Sequence, residues 1–207
     1  MSANTASTAL REVVGLDRRP ARLGASVLVL VDFQNTYRSG VMALEGAEEA
    51  LAAGARLLAR ARAAGTPVVH VVNDGGEGSP YDIRAEIGAI SDAVAPVDGE
   101  EVVVKQVPDA FHGTRLEEVL TGLGAAPGSG ADLVIAGFMT HMCVDHTAQG
   151  AFARGYRPTV VAEATATRSL SGPDGTVLPA AALQAAALTT IGDLFGVVVP
   201  TVDALPA

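Results

Sequence analysis

The segment Asp132–Tyr156, DLVIAGFMTHMCVDHTAQGAFARGY, decides the fold. It opens with the apolar run Leu133–Ala136, breaks at Gly137, and continues into a helix-like stretch from about Val144 to Arg154. This order predicts a buried strand, a tight turn and a helix. Cys143, the only cysteine in the 207 residues, lies where the helix begins. Because backbone N–H groups and the helix dipole favour an anion there, we expect a lowered thiol pKa at this position.

Two interpretations of Cys143 are open from the residue type. Free cysteines are often buried and behave as small hydrophobic residues. The strand–turn–helix context instead favours a nucleophile, since the thiolate is the reactive form of the side chain.

Strands alternate with helices along the rest of the chain. The predicted strands are Ser26–Val31, Val68–Val72, Glu101–Val104, Leu133–Ala136, Pro158–Ala162 and Gly196–Val199. The predicted helices are Thr8–Val14, Leu44–Ala64, Arg84–Val94, Gly113–Gly122, Val144–Arg154 and Pro179–Asp193. Continuous apolar runs are typical of strands buried on both faces. The pattern predicts a single doubly wound α/β domain, residues 26–207, with a six-stranded, mainly parallel sheet and helices on both faces. Residues 1–25 are a lead-in.

Composition excludes several classes of partner. The formal net charge is −9, which argues against nucleic acid and anionic membranes, and no apolar run is long enough to span a bilayer. One cysteine excludes an intrachain disulfide, and the N-terminus lacks the pattern of a secretory signal. We therefore expect a cytoplasmic protein.

Three reactive residues follow predicted strands. Asp32 follows the first strand, Lys105 the third, and Cys143 the fourth. Ligands of doubly wound folds bind outside the carboxyl ends of the strands. A base, a cation and a thiol at one sheet edge are the groups that acyl transfer through a thioester requires.

Three motifs carry a resemblance to a known family. They are LVLVDFQNTY with Asp32, VVVKQVPDAFHGTRLEEVL with Lys105, and VIAGFMTHMCVDHTAQGAFARGY with Cys143. From about Ser26 to Val199 the chain resembles the isochorismatase-like cysteine hydrolases, which include nicotinamidases, N-carbamoylsarcosine amidase and streptothricin hydrolase.

The resemblance implies a catalytic triad. Asp32 would take the thiol proton, Lys105 would hold the carboxylate, and Cys143 would attack a carbonyl carbon. The backbone amides of Met139 and Cys143 would hold the oxyanion, and the Phe138–Met139 peptide bond would be cis.

Departures from the family pattern narrow the range of expected cofactors and substrates. Nicotinamidases carry a metal site with Asp-x-His and a further histidine after the second strand, whereas VVNDGGEGSPYD contains no histidine here. We therefore predict no metal and no cofactor, and we expect His70 to be packed within its strand. Asp109 replaces the Ser or Asn of many relatives and puts a negative charge near the expected pocket rim. Since Cys143 is present, the amide-hydrolysing branch is favoured.

The remaining candidates are pocket residues and partners. Phe111 fits a pocket wall or the core equally well, and Asn73 fits a substrate contact or a turn. Neither His141 nor His146 is expected to be the general base, because Asp32 fills that role. The full set of predicted substrate-binding residues is Phe33, Asn35, Tyr37, Asn73, Phe111, His112, Thr140 and His141. The family resemblance further implies a homo-oligomer, dimer or tetramer.

The sequence thus predicts a metal-independent cysteine hydrolase for a small-molecule amide, carbamoyl, ureido or lactam bond. The alternatives are hydrolysis of an ester or vinyl ether, and a catalytically idle binding or assembly module.

Overall fold

The computed structural model describes residues 6–207, in which six strands form one parallel sheet. Its strands are β1 (Ser26–Val31), β2 (Val68–Asn73), β3 (Glu101–Lys105), β4 (Asp132–Phe138), β5 (Arg157–Ala166) and β8 (Val197–Val199). Across the sheet they lie in the order β3-β2-β1-β4-β5-β8. A separate antiparallel hairpin is formed by β6 (Leu170–Ser171) and β7 (Val177–Leu178). The predicted doubly wound α/β fold is confirmed.

The helices cover both faces of the sheet. They are α1 (Leu10–Val13), α2 (Ala47–Ala63), α3 (Leu116–Gly122), α4 (Asp145–Ala153) and α5 (Ala180–Thr190). A π-helical turn, Thr140–Val144, leads into α4, and a second one, Ile191–Phe195, follows α5.

Strand β1 is apolar along its length because both of its faces are buried. Leu28 and Leu30 belong to the core on the α2 face, whereas Val27, Val29 and Val31 belong to the core beneath α3 and α4. Both faces of the strand are therefore shielded from water, and each residue contributes to burial.

Several predicted boundaries shift. The helix expected over Arg84–Val94 is wrong, because that segment forms two short 3₁₀ turns, Glu86–Gly88 and Asp92–Val94. The helix expected over Thr8–Val14 is the single turn α1. Strand β5 runs four residues beyond the predicted end at Ala162, after a register shift against β4.

Residues 1–5 of the predicted lead-in lie outside the described part of the chain. The rest of the lead-in is anchored, because Leu23 is buried and its N–H donates to the carbonyl oxygen of Pro206. Ala21 N–H likewise donates to Thr159 Oγ1 at 2.9 Å. In residues 6–207, every helix is too short or too polar to cross a membrane.

Candidate active site

The carboxyl ends of β1, β3 and β4 bring three side chains together, as predicted. Lys105 Nζ lies 2.7 Å from Asp32 Oδ2 and donates to Cys143 Sγ at 3.2 Å. Asp32 is 0% exposed, Lys105 1% and Cys143 6%. A buried carboxylate is thus paired with a buried ammonium group that also touches the single thiol.

Local backbone geometry at the β1–β4 junction supports this arrangement. Asp32 has φ 51°, which places a non-glycine residue in the left-handed region. On β4, Gly137 pairs with Val31 and has φ 136°. A Cβ atom at Gly137 would lie 1.8 Å from the Val31 carbonyl oxygen, so only glycine permits this close approach.

Cys143 lies on the π-helical turn Thr140–Val144 rather than on α4 itself. The turn begins after a cis peptide bond between Phe138 and Met139, as the family resemblance implies. The carbonyl oxygen of Met139 accepts hydrogen bonds from the N–H groups of Met142 and Val144, which closes the turn. Thr140 Oγ1 donates to the Ala166 carbonyl oxygen and ties the turn to β5.

The pKa of the Cys143 thiol is raised, whereas the sequence led us to expect a lowered one. Burial and the negative charge of Asp32 raise it to about 12, and Lys105 only partly offsets them. The predicted lowering at a helix start was therefore wrong, because the cost of burying a thiolate beside a carboxylate outweighs the attraction of Lys105. The resting thiol is neutral.

The charged partners of Cys143 also have shifted pKa values. Burial raises the pKa of Asp32, with Lys105 acting in the opposite sense. Burial alone would lower the pKa of Lys105, but the Asp32 carboxylate beside it raises the pKa overall. A carboxylate with a raised pKa is a stronger base than an exposed one, which suits it to accept a thiol proton.

Asn73 is brought to the site, and Gln34 holds it there. Asn73 Oδ1 accepts from Lys105 Nζ at 3.3 Å. The fully buried Gln34 donates from Nε2 to the carbonyl oxygens of Asn73 and Gly88, and its Oε1 accepts from Asn73 N–H. The sequence analysis missed Gln34, although it lies two residues after Asp32 in the motif LVLVDFQNTY.

Two tyrosines form an aromatic wall. Tyr37 is 1% exposed and packs edge-on against Phe138 and Tyr81. Burial raises the pKa of the Tyr37 hydroxyl, and the nearby Asp32 carboxylate raises it further. Burial also raises the pKa of the half-buried Tyr81, which the sequence analysis missed as well, and Asp32 acts in the same direction. Only its place in the loop Asn73–Asp82 could have indicated it.

His141 lies near a third missed residue, Arg168. His141 Nδ1 is hydrogen-bonded to Thr167 Oγ1, and burial followed by the charge of Arg168 lowers its pKa. The Arg168 guanidinium group donates from Nη1 to the Val41 carbonyl oxygen at 3.5 Å.

Other predicted pocket residues have contacts elsewhere. Phe33 is buried against Phe138 on the α2 side of the sheet. Asn35 donates to the Glu86 carbonyl oxygen and accepts from Ser91 Oγ.

Around α4, Phe111 stacks on Tyr156 beneath the Arg154 guanidinium group, and His112 is exposed. Asp109 packs against α4, where its Oδ1 would lie 2.4 Å from a Cβ atom at Gly150. Its carboxylate also accepts from Phe111 N–H.

His70 is packed within β2, as expected. It is 2% exposed, and its Nε2 is hydrogen-bonded to Glu100 Oε2 at 2.8 Å. Residues 6–207 contain no cluster of three or more His, Cys, Asp and Glu side chains able to hold a metal ion.

The fold and this buried trio define a class of protein: a doubly wound α/β protein with an Asp, a Lys and a Cys at the carboxyl edge of its sheet. Residues 26–201 match the model of the isochorismatase domain. The chain therefore belongs to the isochorismatase family, a family of hydrolases.

Similar proteins support the family assignment. A secreted isochorismatase effector of Verticillium dahliae is 33% identical over 95% of this chain and 98% of its own length. Streptothricin hydrolase of Streptomyces noursei is 35% identical over 86% of this chain and 69% of its own. Maleamate amidohydrolase of Pseudomonas putida is 32% identical over 75% and 76%. The crystal structure of an isochorismatase from Pseudomonas putida KT2440 superposes with a TM-score of 0.89 at 37% identity, covering 97% of this chain and 100% of that one.

Proposed function

We propose that this protein is a metal-independent cysteine hydrolase that cleaves a C–N bond of a small molecule through a thioester. The bond is an amide, carbamoyl, ureido or lactam bond. The observation that carries the proposal is the contact of Lys105 Nζ with both Asp32 and Cys143 inside a buried site. The amidohydrolase among the relatives supports C–N chemistry for the family.

The first half of the reaction forms the thioester. Asp32 accepts the proton of the neutral thiol as Cys143 Sγ bonds to the substrate carbonyl carbon. Lys105 offsets the negative charge of the carboxylate before transfer and that of the sulfur during transfer. The amides of Met139 and Cys143 hold the oxyanion. When the tetrahedral intermediate collapses, the C–N bond breaks and the departing nitrogen receives the proton from Asp32.

The second half regenerates the thiol. Asp32 takes a proton from a water molecule, whose oxygen attacks the thioester carbonyl. The C–S bond then breaks, the carboxylic or carbamic acid leaves, and the proton returns to Cys143. A thiol with a raised pKa fits this scheme, because its proton leaves only when the substrate carbon accepts the sulfur.

The test is a panel of small primary amides, carbamoyl compounds, ureides and lactams, read by release of ammonia or amine and, for lactams, by the amino group that ring opening creates on the product. We expect turnover that survives a chelator and is lost in Cys143→Ala and Asp32→Asn. Asp92→Asn, which changes an exposed aspartate, is the matched control and should retain full rates.

Two results would contradict the proposal. One is wild-type turnover in Cys143→Ala. The other is hydrolysis of esters or vinyl ethers with no reaction on any C–N compound, which would favour the alternative chemistry.

Location and assembly are further proposals. We propose a cytoplasmic homo-oligomer, dimer or tetramer; one relative is named as a secreted effector, so the location needs its own measurement. Light scattering of the purified chain tests the assembly, and a monomer at micromolar concentration would contradict it.

A further inference from the structure

A cavity lies at the opposite end of the sheet strands from Cys143. It has a volume of about 210 Å³ and is lined at the starts of β4 and β5 by Asp132 and Arg157. Asp132 is the first residue of β4 and Phe138 the last. At about 3.3 Å per residue, the two edges of the sheet are about 20 Å apart. This cavity is therefore separate from the candidate active site.

The walls of the cavity are mainly apolar and aromatic. Phe152 from α4 and Phe195 from the turn after α5 meet edge-on at 5.8 Å between ring centroids. Tyr156, Val197 and Leu16 complete the apolar lining. An engineered cavity of about 150 Å³ accepts a benzene ring. The space here accommodates one aromatic ring with a small polar substituent.

The charged rim of the cavity is positive, in contrast to the acidic chain as a whole. Three arginines and two aspartates line it. Arg19 pairs with Asp17, and Arg157 pairs with Asp132. Both aspartates therefore already hold an arginine, which leaves Arg11 as the third cation.

Arg11 forms no salt bridge with any residue in 6–207. Its Nη1 donates to the Leu194 carbonyl oxygen at 3.3 Å and its Nη2 to that of Asp17 at 2.5 Å. Its Nε–H is buried and has no acceptor among the described residues. Burial, followed by repulsion from Arg18, lowers the pKa of the guanidinium group. Arg11 is therefore the arginine of this cavity whose charge is not paired with a carboxylate of residues 6–207.

We propose that this cavity, between α1 and the turn Ile191–Phe195, binds a small aromatic monocarboxylate. The ring lies against the edges of Phe152 and Phe195, where aromatic contacts are favourable. The carboxylate accepts a charge-assisted hydrogen bond from the guanidinium group of Arg11, which lines the cavity. Because the site is remote from Cys143, such a molecule binds without being a substrate.

The probe for the test is benzoate, with benzyl alcohol as its neutral counterpart. The sequence contains no tryptophan, so Phe195→Trp supplies a single indole on the cavity wall as a fluorescence reporter. Saturation-transfer NMR on the unmodified chain measures the same binding without the substitution. Both experiments are repeated after Cys143 has been alkylated to completion with iodoacetamide at alkaline pH, as verified by intact mass, which blocks the candidate active site.

We expect saturable benzoate binding that alkylation of Cys143 leaves unchanged. Arg11→Gln should weaken it at least about tenfold, since a hydrogen bond to a charged group is lost. Arg22→Gln removes an arginine that does not line the cavity and should have no effect. Benzyl alcohol should bind more weakly than benzoate.

The proposal is overturned if NMR shows no benzoate binding to the unmodified chain, or if Arg11→Gln and Arg22→Gln bind equally well. Loss of binding on alkylation of Cys143 would also overturn it, because the probe would then occupy the active site.

Discussion

Replacing Asp32 by asparagine should make Cys143 more reactive towards an alkylating agent while stopping turnover. Burial and the Asp32 charge hold the thiol pKa at about 12, against the pull of Lys105. Asp32→Asn removes the carboxylate and leaves the ammonium group beside the sulfur. The thiol pKa should therefore fall, although the base required for catalysis is gone.

The magnitude follows from the thiolate population. An ordinary cysteine has a pKa near 8.5, so a pKa of about 12 leaves roughly three-thousandfold fewer thiolates at neutral pH. We expect iodoacetamide to label the wild-type protein far more slowly than glutathione at pH 7. Each unit by which Asp32→Asn lowers the pKa should raise the labelling rate by up to about tenfold.

Intact-mass spectrometry between pH 6 and 10 measures the rate, and the single cysteine makes any single adduct unambiguous. Cys143→Ala should show no adduct, and circular dichroism verifies that each variant is folded. Wild-type labelling as fast as glutathione, or slower labelling in Asp32→Asn, would refute the electrostatic account.

Three further predictions concern stability and are measured by chemical denaturation. Burial opposes ionisation of Glu100, but its partners lower its pKa to about 2, below the usual 4.5. The ionised Glu100 should contribute roughly 3 kcal/mol to the free energy of unfolding, at 1.36 kcal/mol per pKa unit. This contribution should be complete above pH 4.5 and disappear as the pH falls towards 2. Glu100→Gln should abolish this dependence of stability on pH, and an unchanged dependence would contradict the role given to Glu100. Gly54→Ala should cost about 1–3 kcal/mol, since its Cβ would lie 2.6 Å from the Phe33 ring, whereas Gly122→Ala meets open space and should be neutral or stabilising; equal effects would refute the packing argument. Gln34→Leu should cost at least about 2 kcal/mol, because it leaves one N–H and two carbonyl oxygens without partners, and a loss below 0.5 kcal/mol would show that other groups replace it.

The sheet could be predicted from sequence because most of its strands contain a continuous run of apolar residues. Ser26–Val31 is such a run, and its alternate side chains pack into two separate cores. The segment 84–94 could not be predicted in the same way. Its two 3₁₀ turns are held by long-range contacts, such as Ser91 N–H to the Phe33 carbonyl oxygen.

It was also predictable that Asp32, Lys105 and Cys143 lie close together, since parallel strands have their carboxyl ends at the same edge of the sheet. The direction of the thiol pKa was not. A helix dipole can be inferred from local sequence, but burial and the distance to a carboxylate depend on the packed structure. Gln34 and Tyr81 were not predicted as site residues for the same reason, because their contacts join segments that are distant in sequence.

The most direct test of the central claim is to trap the acyl-enzyme. Wild-type protein is mixed with an amide that it hydrolyses, quenched with acid within milliseconds, and analysed by intact mass and peptide mapping. We predict a mass increase equal to the acyl group, located on Cys143 and absent from Cys143→Ala. Steady turnover without any adduct on Cys143, together with full activity in Cys143→Ala, would contradict the thioester mechanism.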